Sequence, residues 1–140
     1  MNSRIAVAVG VVPQTPRNPH FARIGGEEPV ARIVDAFYRN MVELPQAAAI
    51  RALHPVDMRS SKDILFKYLV GWLGGPPLYV AERGNPRLRQ KHMPFAIGDA
   101  ERDAWMLCMR LALEEHLDDA QLRGELLQAF AKTASLLRNR

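Results

Sequence analysis

The sequence predicts an all-α fold, and two observations support this class. Apolar residues recur at intervals of three and four in several stretches, a spacing that collects them on one face of a helix. No stretch alternates apolar with polar residues as a half-buried strand does, and the chain contains no internal repeat. Hydrophobic residues make up 48% of the 140 residues, enough for the core of one domain, which we place at residues 21–140.

The first two helices are predicted from their apolar faces. The first runs from Pro29, a residue suited to a first helical turn, to Leu44, where Pro45 stops it. Its apolar face consists of Val30, Ile33, Val34, Phe37 and Met41. The second covers about residues 60–73 and ends at the GGPP stretch. Its apolar face consists of Ile64, Leu65, Tyr68, Leu69 and Trp72.

A short third helix is predicted to end at His92. Asn85 is the expected N-cap, and Pro86 the first helical residue. Pro94 has no N–H and biases Met93 away from helical angles, so His92 should lie in the final turn. A histidine there is either a surface residue that suits the helix C-terminus or a metal ligand.

Two long helices complete the prediction. The fourth begins with Asp99 as its cap and runs to about His116, and the fifth spans about residues 118–138. The fourth has Trp105, Cys108, Met109 and Ala112 on one face. The fifth has Leu122, Leu126, Leu127, Phe130, Ala134 and Leu137 on one face. Few long helices must enclose the core, and the connection at 74–86 is long and rich in Gly and Pro. Either a flat apolar cofactor or ordinary side chains could fill the space between the helices.

Composition excludes several classes of protein. The net charge of +4 is modest, and no run of five or six Lys or Arg marks a nucleic-acid-binding arm. No apolar stretch approaches the length that crosses a bilayer. The single cysteine, Cys108, excludes an internal disulfide and a Cys-rich zinc site, and fits a reducing compartment. Gly10 interrupts the apolar N-terminal run, so we expect a poorly ordered tail over residues 1–20 and a cytoplasmic protein.

Three stretches of sequence, in this order along the chain, resemble those of a known family. They are FARIGGEEPVARIVDAFYRNM, ALHPVDM and GWLGGPPLYVAERGNPRLRQKHMPFAIGDAERDAWMLCMR. The pairs and short motifs FY, LHP, GGPPLY, RLR, HMPF and CM follow one another at specific spacings within these pieces. Over about residues 20–138 the chain resembles the group II truncated haemoglobins, which implies a two-over-two helical sandwich around haem.

The resemblance implies how the haem iron and its ligand are held. His92 matches the proximal histidine, whose neutral ring binds the iron of haem b. Tyr38 and Trp105 match donors that reach the bound gas, although by themselves they could be core aromatics with satisfied polar tips. His54, which alone could mark a loop turn before Pro55, is expected as a third donor. Further ligand-facing positions are implied at Leu65 and Ser61.

The resemblance also implies contacts to the haem itself. Tyr79 matches a tyrosine that hydrogen-bonds one propionate, and Arg89 and Lys91 supply positive charge nearby, unless they form a solvated basic face. Phe37, Phe66 and Phe95 are expected to pack around the ring. One position departs from the family, because Ile64 stands where a Lys or Arg is common. Lys67 or Lys62 could substitute for that charge.

The expected function is that of a haem b globin that binds O₂, and also CO or NO, at a five-coordinate ferrous iron. A polar pocket suits sensing, scavenging or redox chemistry better than bulk transport. The alternative is a haem enzyme for nitric oxide dioxygenation or peroxide reduction, which would need an external reductase because the sequence offers no flavin- or NAD-binding domain. A haem-free helical interaction module is a third hypothesis. We expect a monomer or homodimer without nucleic-acid or membrane partners.

Overall fold

The computed structural model describes residues 19–140 and the backbone of two short strands that precede them. These strands, Ala6–Val7 and Gly10–Val11, pair antiparallel with Ala6 opposite Val11. Most of the tail predicted over residues 1–20 lies outside the described residues. From residue 19 onwards the chain forms helices α1 (His20–Ile24), α2 (Glu27–Glu43), α3 (Ala48–Arg51), α4 (Arg59–Trp72), α5 (Leu78–Arg83), α6 (Leu88–His92), α7 (Asp99–His116) and α8 (Ala120–Leu136).

The all-α prediction is confirmed, and the four long helices begin and end within two residues of their predicted limits. Three short helices, α1, α3 and α5, were not predicted, and neither was the 3₁₀ turn Pro45–Ala47 that precedes α3. These elements have three to six residues each, which is too short for a helical repeat of apolar residues to be recognised.

The start of α6 differs from the prediction. Asn85 is not its N-cap, because its Oδ1 accepts a hydrogen bond from the N–H of Arg87 at 3.1 Å and so closes a local turn. Arg87 itself adopts φ 48°, in the left-handed region, and the helix begins only at Leu88. A helix that started at Pro86 would require right-handed angles at Arg87.

The end of α6 agrees with the prediction, although the expectation that Met93 avoids helical angles is wrong. The helix ends at His92, as Pro94 required. Met93 nevertheless keeps helical angles, φ −55° and ψ −37°, and its N–H still bonds to the carbonyl of Arg89 at 3.0 Å. The chain leaves the helix only after this residue, and the N–H of Phe95 then bonds to the carbonyl of His92 at 3.0 Å.

The first turn of α7 is closed by a different residue from the one predicted. Gly98 occupies the N-cap position, and Glu101 accepts a hydrogen bond from its N–H at 2.8 Å. Asp99, the predicted cap, is already helical, and its carboxylate accepts from Arg138 at 2.7 Å. This ion pair joins the first turn of α7 to the chain that follows α8.

The core lies between α2 and the helices around it. α2 packs against α4 and α7, and α7 packs against α8. All five residues of the predicted α2 face are buried, whereas most of the α4 face is only half-buried. The α4 residues Ile64, Leu65, Tyr68 and Trp72 remain half-buried because they line a cavity. None of the helices in residues 19–140 combines the length and the apolar character that crossing a membrane requires.

Candidate functional site

A cavity of about 450 Å³ lies among α4, α6, α7 and the second half of α8. Its volume is within the usual range for sites that hold small molecules and cofactors. The lining is mostly apolar, with a few polar groups at defined places. Its apolar part includes Ile64, Leu65, Leu69, Trp72, Phe130 and Leu137.

The fold brings most of the predicted site residues together around this cavity. Those that line it are Tyr38, His54, Ser61, Leu65, Tyr79, Lys91, His92, Phe95 and Trp105. They come from five helices and two connecting segments. Tertiary packing, and not closeness in sequence, therefore assembles the site.

Three predicted residues do not reach the cavity. Phe37 is only 1% exposed and lies behind the lining, with its ring 5.0 Å from that of Tyr38 and 5.1 Å from that of Trp105. Phe66 packs against the core, and Arg89 is exposed on α6. None of the three is among the lining residues, and their contacts with a haem ring or its carboxylates stay predictions.

His92 has one ring nitrogen fixed by the backbone. Its Nδ1 lies 2.6 Å from the carbonyl oxygen of Leu88, one turn earlier in α6. Since a carbonyl can only accept, Nδ1 carries the hydrogen and donates it, and in the neutral ring Nε2 keeps its lone pair. Metal-binding histidines typically show this pattern, with one nitrogen donating to a carbonyl and the other free to bind.

Tyr38 places a protonated hydroxyl at the cavity from α2. The residue is 5% exposed, and burial raises the pKa of Tyr38 to about 12. The hydroxyl lies 3.4 Å from the carbonyl oxygen of Ser61, a long hydrogen bond that a better acceptor could replace. Tyr38 therefore offers a hydrogen-bond donor over the whole neutral pH range.

His54 is held in one orientation by a main-chain group. Its Nδ1 lies 2.8 Å from the carbonyl oxygen of Ile50 and must donate to it. The neutral ring therefore has a lone pair at Nε2, and it can donate a second hydrogen bond only when protonated. The ring of Tyr38 meets it edge to face, with centroids 5.9 Å apart.

Aromatic rings continue from Trp105 along the cavity. Trp105, half-buried on α7, lies between Phe37 and Phe130, whose ring centroid is 5.4 Å away. Trp72 stacks on Phe130 with centroids 4.5 Å apart and planes 17° apart. Offset stacking of this kind fixes ring positions and adds stability beyond the burial of apolar area.

Polar groups meet at one edge of the cavity. Lys91 donates to the hydroxyl oxygen of Tyr79 at 2.6 Å, and its ammonium lies 5.2 Å from the centre of the same ring. Tyr79 is 6% exposed, and its own O–H remains able to donate. An ammonium beside a hydroxyl donor is a suitable partner for a carboxylate.

The substitutes considered for a basic residue at position 64 are occupied elsewhere. Lys67 binds Glu82 at 2.7 Å and Asp63 at 3.0 Å, and Lys62 lies 3.6 Å from Asp35. Neither lysine lines the cavity. The residue at 64 is an isoleucine of the apolar lining, and a further cation that lines the cavity is Arg102 on α7, which pairs with Asp103 at 3.0 Å.

Comparisons with known proteins identify the family and the fold. The family model for bacterial-like globins matches residues 20–139. The group 2 truncated haemoglobin YjbI of Bacillus subtilis (strain 168) is 37% identical over 101 residues, covering 72% of this chain and 71% of the relative. The group II two-on-two haemoglobin of the plant pathogen Agrobacterium tumefaciens superposes with a TM-score of 0.84 at 38% identity, covering 92% of this chain and 98% of that one.

The cold-adapted truncated haemoglobin of the Antarctic bacterium Pseudoalteromonas haloplanktis TAC125 also has a TM-score of 0.84 and 38% identity, over 91% of this chain and 99% of that one. The chain belongs to the group II truncated haemoglobins. Its fold is the two-over-two helical sandwich that the sequence resemblance implied. Membership in the family implies a haem cofactor and small gaseous ligands.

Sequence reasoning missed several cavity residues of this truncated haemoglobin. Periodicity predicts Trp72 and Phe130 only as members of apolar helix faces, and no sequence pattern predicts Ile97, Arg102 and Thr133 at the site. A useful signal was available for the first two. Trp72 follows Leu65 by two helical turns and Phe130 shares the face of Leu126, so both could have been placed near the predicted ligand positions.

Proposed function

We propose that this truncated haemoglobin holds haem b in the cavity through His92 and binds O₂ reversibly in the ferrous state, with CO and NO as further ligands. The observation that carries the proposal is the hydrogen bond from Nδ1 of His92 to the Leu88 carbonyl, which leaves Nε2 available at a largely apolar cavity. Haem would supply a ferrous iron centre that binds diatomic gases, with His92 as its one protein ligand.

The residues present fit such a group. A flat apolar ring suits a lining of Leu65, Trp72, Phe95 and similar side chains, and its carboxylates suit the polar edge at Tyr79. The chain's single cysteine, Cys108, is fully buried in α7, so the Cys-x-x-Cys-His attachment of a c-type haem is absent. The cofactor is therefore proposed as non-covalent haem b. One buried thiol also suits a reducing compartment, and we place the protein in the cytoplasm.

The polar side chains at the cavity would act on the ligand. O₂ gains negative charge when it binds to ferrous haem, so hydrogen-bond donors in a dry pocket stabilise it. We assign this role to the hydroxyl of Tyr38 and the indole N–H of Trp105. In its neutral form His54 would not act as a third donor, because its one N–H is used by the Ile50 carbonyl, and its ring would limit the position of Tyr38 through their edge-to-face contact.

An absorption spectrum of the reduced protein, with and without CO, tests the proposal. We expect a Soret band that shifts when CO is added, followed by measurable O₂ release in a stopped-flow experiment. A purified protein that takes up no haem would contradict the proposal. Turnover of NO or peroxide under a reductant supply, faster than O₂ release, would favour the enzyme alternative over gas binding.

The Tyr79→Phe variant should lose haem faster than the parent protein. The substitution keeps the ring but removes the hydroxyl, and with it the hydrogen bond from Lys91 and the proposed bond to a haem carboxylate, the second of which is worth about 1 kcal/mol. Haem transfer to an acceptor protein should accelerate by roughly fivefold, while the ferrous spectrum stays the same. Tyr68→Phe is the matched control, because it removes a second tyrosine hydroxyl at the cavity. The centroids of the Tyr68 and Tyr79 rings are 6.1 Å apart. Equal transfer rates in the parent and in Tyr79→Phe would mean that Tyr79 does not hold the cofactor.

The O₂ off-rate should not depend on tyrosine ionisation up to about pH 10. The phenol of an exposed tyrosine ionises near pH 10, whereas the pKa of Tyr38 is about 12 because its phenolate would be desolvated. The neutral hydroxyl, which is the form that donates, therefore persists until the pH approaches 12. Stopped-flow measurements between neutral pH and pH 10 check this. A rise in off-rate across that range that disappears in Tyr38→Phe would show that the hydroxyl ionises early.

A further inference from the structure

The chain between α6 and α7, residues 93–98, has no helix of its own and follows directly on His92. Phe95 and Ile97 from this segment line the cavity together with His92. Main-chain groups outside regular secondary structure need other hydrogen-bond partners, and those partners fix where the segment lies. The partners of residues 93–98 therefore also bear on the main chain of His92, which directly precedes the segment.

Asn139, which follows α8, provides these partners. Its side-chain Nδ2 donates to the carbonyl of Phe95 at 2.9 Å and to that of His92 at 3.3 Å. Its Oδ1 accepts from the N–H of Ile97 at 3.0 Å, and its main-chain N–H donates to the Ile97 carbonyl at 2.8 Å. Asn139 thus makes three hydrogen bonds to residues 93–98 and one to His92, all of them more than 40 positions earlier in the chain.

We propose that Asn139 is a positioning residue for His92. It acts through the backbone, by fixing the carbonyl of His92 and the turn that follows, and so limits how far the imidazole can rotate or shift. The inference rests on the proposed function, in which His92 binds the haem iron. Asparagine is chemically suited to the task, because its amide donates to two carbonyls and accepts from an N–H at the same time.

Neighbouring residues provide controls. Arg138 donates to the Asp99 carboxylate at 2.7 Å, an exposed ion pair that joins the same tail to α7 and uses none of the hydrogen bonds of Asn139. Asn40 is a matched amide elsewhere, because its Nδ2 donates to the Cys108 carbonyl at 3.0 Å between α2 and α7. Replacing either residue removes tail or core contacts but leaves all four hydrogen bonds of Asn139.

The test uses the haem-loaded full chain with the variants Asn139→Ala and Asn139→Asp. Asn139→Ala removes every side-chain bond. Asn139→Asp keeps the acceptor for Ile97 but places a carboxylate oxygen against the carbonyls of Phe95 and His92. The main readout is the iron–histidine stretching band of the ferrous protein, measured by resonance Raman spectroscopy. The second is the rate of haem transfer to an acceptor protein, and circular dichroism checks the helical content.

Both variants should broaden and shift the iron–histidine band and accelerate haem transfer by about three- to tenfold. Asn40→Ala and Arg138→Ala should leave the band and the transfer rate as in the parent. An unchanged band in both Asn139 variants, alongside a normal band in the parent, overturns this inference alone. A parent protein without any iron–histidine band overturns the proposed function and, with it, the role of Asn139. Hydrogen exchange at the Ile97 amide is measured in the apo-protein as well. Fast exchange in Asn139→Ala and slow exchange in Asn139→Asp would confirm that the hydrogen bond between Asn139 and Ile97 forms before haem binds.

Discussion

Replacing His92 with glycine should cost this truncated haemoglobin most of its haem at ordinary protein concentrations. His92, like His54, lines the cavity with its Nδ1 held by a main-chain carbonyl and a lone pair at Nε2, and it is the residue that we propose as the iron ligand. Without it, the proposed site keeps apolar contacts and the polar edge at Tyr79, but it loses the proposed iron ligand. Added imidazole should restore the ferrous spectrum by filling the space that the side chain leaves. Absorption spectra before and after gel filtration measure the loss.

A histidine at the end of another helix serves as the control. His116 ends α7 as His92 ends α6, is also half-buried, and does not line the cavity. His116→Gly should therefore retain haem and its spectrum, even if the end of α7 frays. Full haem retention with an unchanged ferrous spectrum in His92→Gly would show that another residue binds the iron.

Trp105→Phe should release O₂ about five- to thirtyfold faster than the parent. The substitution preserves an aromatic ring between Phe37 and Phe130 but removes the indole N–H, a loss of about 1–2 kcal/mol for a hydrogen bond to a partly negative ligand. CO carries much less charge when bound, so its off-rate should change far less. Flash photolysis and stopped-flow measurements give both rates.

The difference between the two gases separates electrostatics from packing. A packing defect would alter the release of O₂ and CO alike. Trp72→Phe is the control for such a defect, because it changes the size of the other tryptophan that lines the cavity. Tyr38→Phe should show the same preference for O₂, and the double variant with Trp105→Phe should be non-additive if both groups donate to one ligand. Equal changes for O₂ and CO would mean that Trp105 acts through its size.

The sequence predicted the long helices well because each carries an apolar face over many turns. It could not predict where α6 begins. That boundary depends on the turn between Asn85 and Arg87 and on a positive φ at Arg87, which is uncommon for a residue other than glycine. α5 was missed because its six residues span less than two helical turns.

The cavity was only partly predictable for a related reason. Periodicity shows which residues of a helix face inward, but it does not distinguish a face that meets another helix from one that meets a cavity. Leu69 and Trp72 share one face of α4 and both line the cavity. Leu69 is buried, whereas Trp72 is only half-buried, and the apolar period does not distinguish the two. The role of Asn139 has no local signature at all, since every partner of its side chain lies more than 40 residues away.

The aromatic lining has an optical consequence. The chain contains two tryptophans, Trp72 and Trp105, and both border the same cavity. A haem placed there absorbs strongly at the wavelengths where indole emits, so energy transfer would darken both fluorophores together. The tryptophan fluorescence of this protein should therefore report whether haem occupies the cavity. We expect a high fluorescence intensity without the cofactor and a low one when it is bound.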